Sequence, residues 1–498
     1  MHGLAKFVPS RAKTESGLQT PKRSFSGVTA HTVSMSASTR TESDSFGPIE
    51  VPADRLWGAQ TERARHHFGD SEPMPLALVH AIARVKRAAA RVNKDLKLID
   101  PRVAEAIVSG ATEIIDGRHD GEFPLPVWQS GSGTQTHMNV NEVLANRGSE
   151  LLGGARGTGR LIHPNDDVNR GQSSNDVIPT AMHLCAIDVM ERRLRPAVDG
   201  LGRAFEQKAE AFADVVKVGR THLQDAVPMT LGQEVSAYAA QLARAREAIE
   251  RAETPLFELA IGGTAVGTGL NAHPQFGKRV AALLAQETGR PLVVATNRFA
   301  LIASHDALVQ AHGALRTLGC VLIKVANDIR WLASGPRCGL GELRLPEHEP
   351  GSSIMPGKVN PTQAEALVMA ATQVLGNDVT MGIAGAGGQL ELSTYKPLLI
   401  ATFLQSARLL SDGCERFRAY AVEGLEADRS RIGDLMTRSL MLATALTPHI
   451  GYDQAAKIVR AAHASGRTLR EVAVEHGVDA GSFDRWTDPR SLADADES

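Results

Sequence analysis

Apolar residues recur at helical spacing along unusually long stretches of this chain. Within residues 231–252 they follow the three- and four-residue intervals of a single helix face, at Leu231, Val235, Tyr238, Leu242, Ala245 and Ile249. Thr230 and Gln233 stand at the offset of a capping box, which predicts that this helix begins near residue 231. Residues 180–215, 301–333, 362–382 and 397–422 show similar helical patterns. Helices of this length must bury their apolar faces against one another, so the pattern predicts a long-helix bundle.

Strand signals are weak in comparison. Clear period-2 alternation is scarce, and aromatic residues, which strands favour, make up only 4% of the chain. The sequence therefore predicts an all-α fold. Clusters of Gly, Pro, Asn and Asp at 163–179, 335–361 and 426–432 indicate breaks between helical segments. These breaks suggest three helical domains, at residues 46–173, 174–428 and 429–498.

Residues 1–45 precede the first helical pattern and are rich in Ser, Thr, Arg and Lys, with few acidic residues. This composition is typical of a mitochondrial transit peptide. It fits equally well a disordered extension, or a start codon assigned too early, since Met35 would also serve as a start. The segment lacks the apolar stretch of a secretory signal. We expect a cytoplasmic protein, or one of the mitochondrial matrix if the segment is a transit peptide.

Charge and cysteine content exclude several classes of function. The chain has 54 basic and 56 acidic residues and a formal net charge of −2, so no overall positive field attracts nucleic acid or an anionic membrane. No apolar run approaches the ~20 residues that span a bilayer. The four cysteines form no CxxC pair, which predicts free, reduced thiols rather than disulfides or a zinc site. A small anionic substrate would have to be bound by local groups.

The segment 351–361, GSSIMPGKVNP, concentrates groups that bind anions. Two adjacent serines and Lys358 lie in a glycine-containing loop that leads into the helix predicted at 362–382. We expect Asn360 to cap this helix, with Pro361 at its first position and Gln363 as the capping-box partner. Free N–H groups, the helix dipole and the ammonium would then converge on an anion such as a carboxylate. The plainer interpretation is a capped turn with a surface lysine.

A second glycine-rich segment, GGTAVGTG at residues 262–269, is similar in composition to a phosphate-binding loop. It lacks the Lys-Ser/Thr pair of a P-loop, and no clear strand precedes it. We therefore expect a tight turn with close backbone packing.

Five blocks of sequence resemble, in their order along the chain, the class II fumarases of the fumarase/aspartase superfamily. They are GSGTQTHMNVN at 131–141, HPNDDVNRGQSSND at 163–176, GRTHLQDAVPMTLGQE at 219–234, ASGPRCGLGELRL at 333–345 and GSSIMPGKVNP at 351–361. Aspartases resemble the last block but usually carry Ala where this chain has Gly357. An aspartate ammonia-lyase on the same scaffold is the alternative. A third possibility is a non-enzymatic helical relative, which the intact set of catalytic residues named below disfavours.

The resemblance implies the reversible, stereospecific hydration of fumarate to L-malate. This is an anti addition of water through an aci-carboxylate intermediate, and it is a step of the tricarboxylic acid cycle. The resemblance also implies that the enzyme uses no metal or other cofactor. It further implies a homotetramer around a central multi-helix core, in which three subunits contribute to each active site.

The resemblance also assigns roles to individual residues. Ser352 is implied to be the base at C3, with Lys358 and the loop N–H groups stabilising its alkoxide. His222 is implied to act where the hydroxyl leaves, oriented or polarised by Glu365. The implied substrate-binding residues are Ser132, Gly133, Thr134, Ser173, Ser174, Asn175, Thr221, Ser353, Lys358, Val359 and Asn360. A second anion site would comprise Arg160, His163, Asn165 and Asp166, for which the alternative is a helix-start turn capped by Asn and Asp.

Overall fold

Helices form most of the computed structural model, which describes residues 38–493. Predictions for residues 1–37 and 494–498 lie outside the described residues. The α-helices are α1 (Ala59–Phe68), α2 (Leu76–Asp95), α3 (Pro101–Ile115), α4 (Thr134–Leu151), α5 (Ser174–Val189), α6 (Arg195–Ala211), α7 (Leu231–Glu253), α8 (Phe276–Thr288), α9 (Arg298–Ala303), α10 (Asp306–Leu332), α11 (Thr362–Gly385), α12 (Lys396–Phe417), α13 (Arg429–Arg438), α14 (Thr447–Ile450), α15 (Tyr452–Ser465), α16 (Leu469–Glu475), α17 (Ala480–Trp486) and α18 (Pro489–Ala493). Short π-helical turns lie at Pro164–Val168, Met190–Leu194 and Arg418–Val422.

Strands form only short two-stranded sheets in the described part of the chain. The antiparallel pairs are β1 (Thr39–Asp44) with β2 (Gly47–Pro52), β3 (Val216–Thr221) with β4 (Gln224–Thr230), β7 (Leu343–Arg344) with β10 (Glu426–Ala427), and β8 (Gly388–Gln389) with β9 (Leu392–Ser393). One parallel pair joins β5 (Glu258–Leu259) to β6 (Val293–Val294). Helices therefore supply the architecture, and the prediction of an all-α fold is confirmed.

The long helices agree with the patterns that predicted them, with two exceptions. One is the helix predicted at 301–333, because α9 ends at Ala303 and α10 begins at Asp306. α7 begins at Leu231, and Thr230 and Gln233 form the expected capping box. The break predicted at 163–179 is wrong in its last residues, because α5 already begins at Ser174 and contains Pro179. Helical structure then continues through α5, the π-helical turn and α6 to Ala211. The serine cap at Ser173 starts the helix five residues before the proline, which therefore lies in the second turn and cannot donate a hydrogen bond to the Asn175 carbonyl.

Six long helices, α5, α6, α7, α10, α11 and α12, pack against one another and bury a continuous apolar core. Small side chains permit close approach: a Cβ on Gly319 of α10 would lie 3.0 Å from Leu375 of α11. α10 has the length and hydropathy that a membrane-spanning helix also has. It nevertheless packs between α7 and α11 and buries Leu315 and Leu322, so its apolar character is that of a core helix.

The last residues of the N-terminal segment predicted at 1–45 form a strand. Thr39–Asp44 forms β1 and pairs with β2 in continuous register. Its Glu42 carboxylate is buried and accepts hydrogen bonds from Arg40, Arg160 and Asn146. Arg160 and Asn146 lie far along the chain, and they fix a segment whose composition alone gave no apolar pattern.

Two apolar cores lie within the described residues. The larger contains side chains from Val51 to Ile432, and so spans the first two predicted domains and reaches the first residues of the third. The smaller contains side chains from Ala443 to Phe483. The division at 46–173, 174–428 and 429–498 stays a prediction. All four cysteines are unpaired, and burial raises the pKa of the Cys414 thiol to about 12.

Candidate active site

The N-terminal ends of α4 and α5 lie side by side and present hydroxyl groups. Gly133 precedes α4 in the left-handed region, with φ 75°. Ser132 Oγ lies 2.8 Å from Thr134 Oγ1 and from Ser130 Oγ. Across the gap, Ser174 Oγ lies 2.7 Å from His137 Nδ1 of α4. Six predicted binding residues (Ser132, Gly133, Thr134, Ser173, Ser174 and Asn175) therefore form one group at two helix N-termini, an arrangement suited to a carboxylate.

The backbone before α4 packs tightly on the segment before α12. Gly131 accepts a hydrogen bond from the Lys396 amide at 2.9 Å. A Cβ on Gly131 would lie 1.5 Å from the Thr394 carbonyl oxygen, so no other residue fits without moving the backbone. The glycine thus fixes the position of Ser132 and Thr134.

Gly131→Ala tests this positioning. We expect a loss of about 1–3 kcal/mol in unfolding free energy, as in other overpacked sites. We expect a fall in kcat/KM of roughly 100-fold, because displacing binding groups by an ångström has that effect. Gly121→Ala is the matched control, since its Cβ would meet no atom within 4 Å. Equal kinetics for both variants would show that the Gly131 contact does not position the site.

A turn at residues 262–265 supports the start of α5. Asp176 completes a capping box with Ser173 and accepts hydrogen bonds from the Gly262 and Thr264 amides at 2.9 and 3.0 Å. Asn175 Nδ2 donates to the Ala265 carbonyl at 2.7 Å. Burial raises the pKa of Asp176 to about 6, although three backbone N–H donors oppose the rise. The close packing expected of residues 262–269 is confirmed, since a Cβ on Gly262 would lie 2.7 Å from the Gly277 Cα atom.

Sequence reasoning missed Asp176 and the buried side chains behind it. The Ser-x-x-Asp spacing at 173–176 is a capping-box signal that predicts the role of Asp176 in starting α5. No comparable local signal indicates Lys86 or His137, which are both fully buried next to this group. They reach it from α2 and α4, so only the fold brings them together.

His222 lies at the tip of the β3–β4 hairpin. Thr221 pairs with Gln224, and the two residues between them, His222 and Leu223, have φ of 57° and 60°. Both side chains are exposed, and His222 makes no side-chain hydrogen bond within residues 38–493. Non-glycine residues rarely adopt positive φ, and those that do are often found at functional sites.

Buried charges anchor this hairpin at its base. Lys217 Nζ lies 3.0 Å from Glu342 and 2.7 Å from Glu234, and Arg220 lies 2.8 Å from the other Glu342 oxygen. Lys217 and Glu342 are almost completely buried. Since removing one member of a buried pair leaves an uncompensated charge, Glu342 is a structural anchor for the hairpin whose tip carries His222. The block at residues 333–345, which resembles the class II fumarases, therefore contributes the residue that anchors this hairpin.

The segment 351–361 folds into a loop closed by its own backbone. The Gly351 amide donates to the Lys358 carbonyl at 2.9 Å, and the Asn360 side chain donates to the Gly351 carbonyl at 2.5 Å. Ser352 Oγ accepts hydrogen bonds from the amides of Ile354 and Met355 at 3.2 and 3.0 Å. Two N–H donors aimed at this oxygen would stabilise an alkoxide there.

The capping role predicted for Asn360 is wrong. α11 begins at Thr362 after Pro361, and no side chain caps it. The Asn360 amide closes the loop onto Gly351 instead, and Pro361 stands at the cap position rather than inside the helix. The unsatisfied N–H groups of the first turn of α11 remain available to an anion.

Lys358 and Glu365 face an open groove of about 940 Å³ between this loop, the end of α10 and residues 424–428. Lys358 is exposed and has no side-chain partner in the described residues. Glu365 lies in the first turn of α11, and its nearest cation is Arg330 at 3.8 Å. Ser353 and Val359 are also exposed on the loop.

The predicted site residues therefore form three separate groups in one chain: the α4–α5 ends, the β3–β4 tip and the 351–361 loop with Glu365. No hydrogen bond or ion pair within residues 38–493 joins a site residue of one group to a site residue of another. His222 and Lys358 are exposed and make no side-chain hydrogen bond or ion pair in the part of the chain that the structure describes. A single described chain does not assemble the predicted catalytic set.

The residues of the predicted second anion site form a local turn. His163 Nδ1 accepts hydrogen bonds from the Asn165 and Asp166 amides at 3.3 and 3.1 Å and so caps the turn Pro164–Val168. Arg160 is paired with the buried Glu42 at 2.9 Å. These are the contacts of a helix-start turn, with His163 rather than Asn or Asp as the cap. The anion site stays a prediction.

Comparisons with known proteins agree with this combination of fold and site. Residues 47–376 match the family model described as "Lyase", and residues 442–494 match the "Fumarase C C-terminus" model. The molecule is thus a lyase built on a bundle of long helices. A class II fumarate hydratase of Chromobacterium violaceum is 61% identical over 92% of this chain and 100% of its own length. One from Nitrosomonas europaea is 58% identical over 91% of this chain and 99% of its own.

A solved structure extends the agreement to three dimensions. Class II fumarase from Schistosoma mansoni superposes with a TM-score of 0.90 at 44% identity, covering 92% of this chain and all of that one. The chain belongs to the class II fumarate hydratase family. The alternative of an aspartate ammonia-lyase is not favoured.

Proposed function

We propose that this chain hydrates fumarate to L-malate reversibly, with Ser352 as the base and with active sites completed by neighbouring copies. The chain is a hydro-lyase of the class II fumarate hydratase family. The observation that carries the residue assignment is the pair of amide N–H groups donating to Ser352 Oγ. Lys358, six residues later, has no side-chain partner among residues 38–493. A serine oxygen is a weak base unless its anion is stabilised, and this loop supplies the stabilising donors.

In the malate-to-fumarate direction, Ser352, as its alkoxide, would take a proton from C3 and become the neutral hydroxyl. The electron pair of that C–H bond moves into the adjacent carboxylate and forms the dianionic aci-carboxylate. The electron pair of the aci-carboxylate then forms the C2–C3 double bond as the C2–O bond breaks. The leaving hydroxide takes a proton from the His222 side and departs as water. Hydration reverses each step. Stabilising the aci-carboxylate is the main barrier, and preorganised donors such as the N–H groups at the start of α11 and Lys358 contribute most to lowering it.

The helix N-termini of α4 and α5 would bind the second substrate carboxylate. Ser132, Thr134 and Ser174 present hydroxyl donors there with few formal charges. Binding both carboxylates fixes C2 and C3 between the base and the acid, which accounts for a large part of the catalytic effect.

A homotetramer with each site shared between three subunits accounts for the separation of the three groups. An apolar stripe on α11 supports assembly through the long helices. Met369, Val379 and Ile383 are 67%, 63% and 67% exposed. Met369 and Ile383 each lie seven residues from Gly376 and Val379 lies three residues from it, so all of them lie along one helix face. Exposed apolar surface of this kind is typical of an interaction face.

For location, we propose the cytoplasm, where four unpaired cysteines remain reduced. A transit function of residues 1–45 would instead direct the chain to the mitochondrial matrix. Fractionation of the source cells, with the N-terminal residue of the mature protein determined, distinguishes the two.

The reaction itself is tested by incubating the purified protein with fumarate, with and without ammonia. We expect L-malate to form in both cases at the same rate and no aspartate to appear. EDTA should leave the rate unchanged, because no group of three or more His, Cys, Asp or Glu side chains within residues 38–493 is arranged to hold a metal ion. Aspartate formed only with ammonia would contradict the proposed function, and loss of activity with EDTA would contradict a metal-independent mechanism.

A further inference from the structure

His137 is a fully buried histidine with one hydrogen-bond partner. Its Nδ1 lies 2.7 Å from Ser174 Oγ, while its Nε2 has no partner within residues 38–493. His137 is the fourth residue of α4, at the end of its first turn, and its ring stands directly behind the start of α5. A buried ring nitrogen without a hydrogen-bond partner is uncommon. The hydrogen bond to Ser174 is therefore the contact through which this ring can act on its surroundings.

The surroundings of His137 keep its ring neutral. Burial, and then the neighbouring Lys86, hold the pKa of His137 well below its usual range. Lys86 is itself fully buried, and its Nζ donates to Asn169 Oδ1 at 2.8 Å. A neutral imidazole has one N–H donor and one acceptor nitrogen.

The unpaired Nε2 decides which nitrogen carries that proton. With the proton on Nε2, a buried N–H donor would lack an acceptor in the described part of the chain. With the proton on Nδ1, the N–H is donated to Ser174 Oγ and only an acceptor is left unpaired. Orphaned buried N–H groups are rarer than under-satisfied acceptors, so the Nδ1–H form is favoured.

Ser174 lies at the boundary between this buried cluster and open space. It is the first residue of α5, is only partly buried, and has no side-chain partner other than His137 among residues 38–493. When its oxygen accepts from His137, its own proton cannot point back towards the ring. The hydroxyl proton is then directed outwards, towards the space in front of the two helix ends.

We propose that His137 is a positioning residue, which donates from Nδ1 to Ser174 Oγ and thereby orients the Ser174 hydroxyl as a donor to a substrate carboxylate. The inference rests on the proposed function, in which that space holds a carboxylate of fumarate or malate. Without the donated bond, the Ser174 proton would be free to turn towards His137, and its bond to the substrate would be lost. The effect falls on binding in the ground state and the transition state alike.

The test compares KM and kcat for L-malate in four variants. His137→Leu removes the donor at similar volume and should raise KM roughly tenfold, the effect of one hydrogen bond to a charged group, with kcat changed less than about threefold. His137→Asn keeps an N–H near the position of Nδ1 and should restore KM to within about threefold of wild type. Ser174→Ala should raise KM about as much as His137→Leu. The double variant His137→Leu/Ser174→Ala should have a KM less than about twofold above that of Ser174→Ala.

His183→Leu is the matched control. It is another buried histidine whose pKa is lowered by burial, but its Nδ1 bonds only to the backbone carbonyls of Leu256 and Glu258. We expect it to lower thermal stability without the KM effect. If His137→Leu fails to assemble, His137→Met replaces it, since the more flexible side chain fills the same space without a donor.

Additive effects of His137→Leu and Ser174→Ala, or an unchanged KM in His137→Leu, would overturn the inference while leaving the proposed function intact. An equally raised KM in His137→Asn and His137→Leu would also overturn it. A wild-type protein that forms no malate from fumarate would contradict the proposed function, and the inference with it.

Discussion

Replacing Ser352 with Ala should lower kcat for malate dehydration by about 10²–10⁴-fold, the range associated with loss of a general base. The hydroxyl oxygen accepts two amide hydrogen bonds, and the alanine variant leaves those N–H groups in place without the oxygen they stabilise. The loop is largely exposed, so the variant should fold and assemble normally. Circular dichroism and the sedimentation coefficient should match those of wild type.

Ser465→Ala is the matched control for this prediction. Ser465 is an exposed serine whose hydroxyl also makes only local contacts, to the carbonyls of Ala461 and Ala462 in its own helix. Its kcat should be unchanged. A Ser352→Ala variant with kcat within about threefold of wild type would show that another group removes the C3 proton.

His222→Asn should lower kcat by roughly 100-fold and change KM much less, since the residue assists departure of the hydroxyl rather than binding. Asparagine suits the position because it tolerates positive φ better than other non-glycine residues, so the hairpin tip should keep its shape. The matched control is Leu223→Asn at the neighbouring turn position, where φ is 60°. Equal kcat values for the two variants would mean that the turn, rather than the imidazole, matters.

Local signals predicted the parts of the fold that depend on neighbours in the sequence. The start of α7 is one case, because its capping box and its apolar stripe act within one helix. Asn360 shows the limit of such signals. Its side chain could have capped the first turn of α11, but it donates to the Gly351 carbonyl and closes the loop instead. The N-terminal strand shows a different limit, because Glu42 is held by Arg160 and Asn146 from far along the chain.

The candidate site also contains residues that local sequence signals predicted and residues that only distant contacts bring into place. Residue types and spacing, read through the family resemblance, indicated the hydroxyl groups and Lys358. The groups behind them, such as His137 and the Glu342 anchor, are brought into place by packing between distant helices and strands, for which the sequence carries no short-range pattern. How the three groups meet depends on contacts between copies, which periodicity within one chain does not encode.

The most direct test of a shared active site is complementation between two inactive variants. Ser352→Ala and His222→Asn chains would be co-expressed in equal amounts with different affinity tags, and mixed assemblies isolated through both tags. If Ser352 and His222 of each site come from different copies, about one quarter of the sites receive both intact groups by random assembly, and activity should return to about that fraction of wild type. If both residues of a site came from the same copy, every site would lack one of them. Mixed assemblies no more active than the two parent variants would therefore contradict the account.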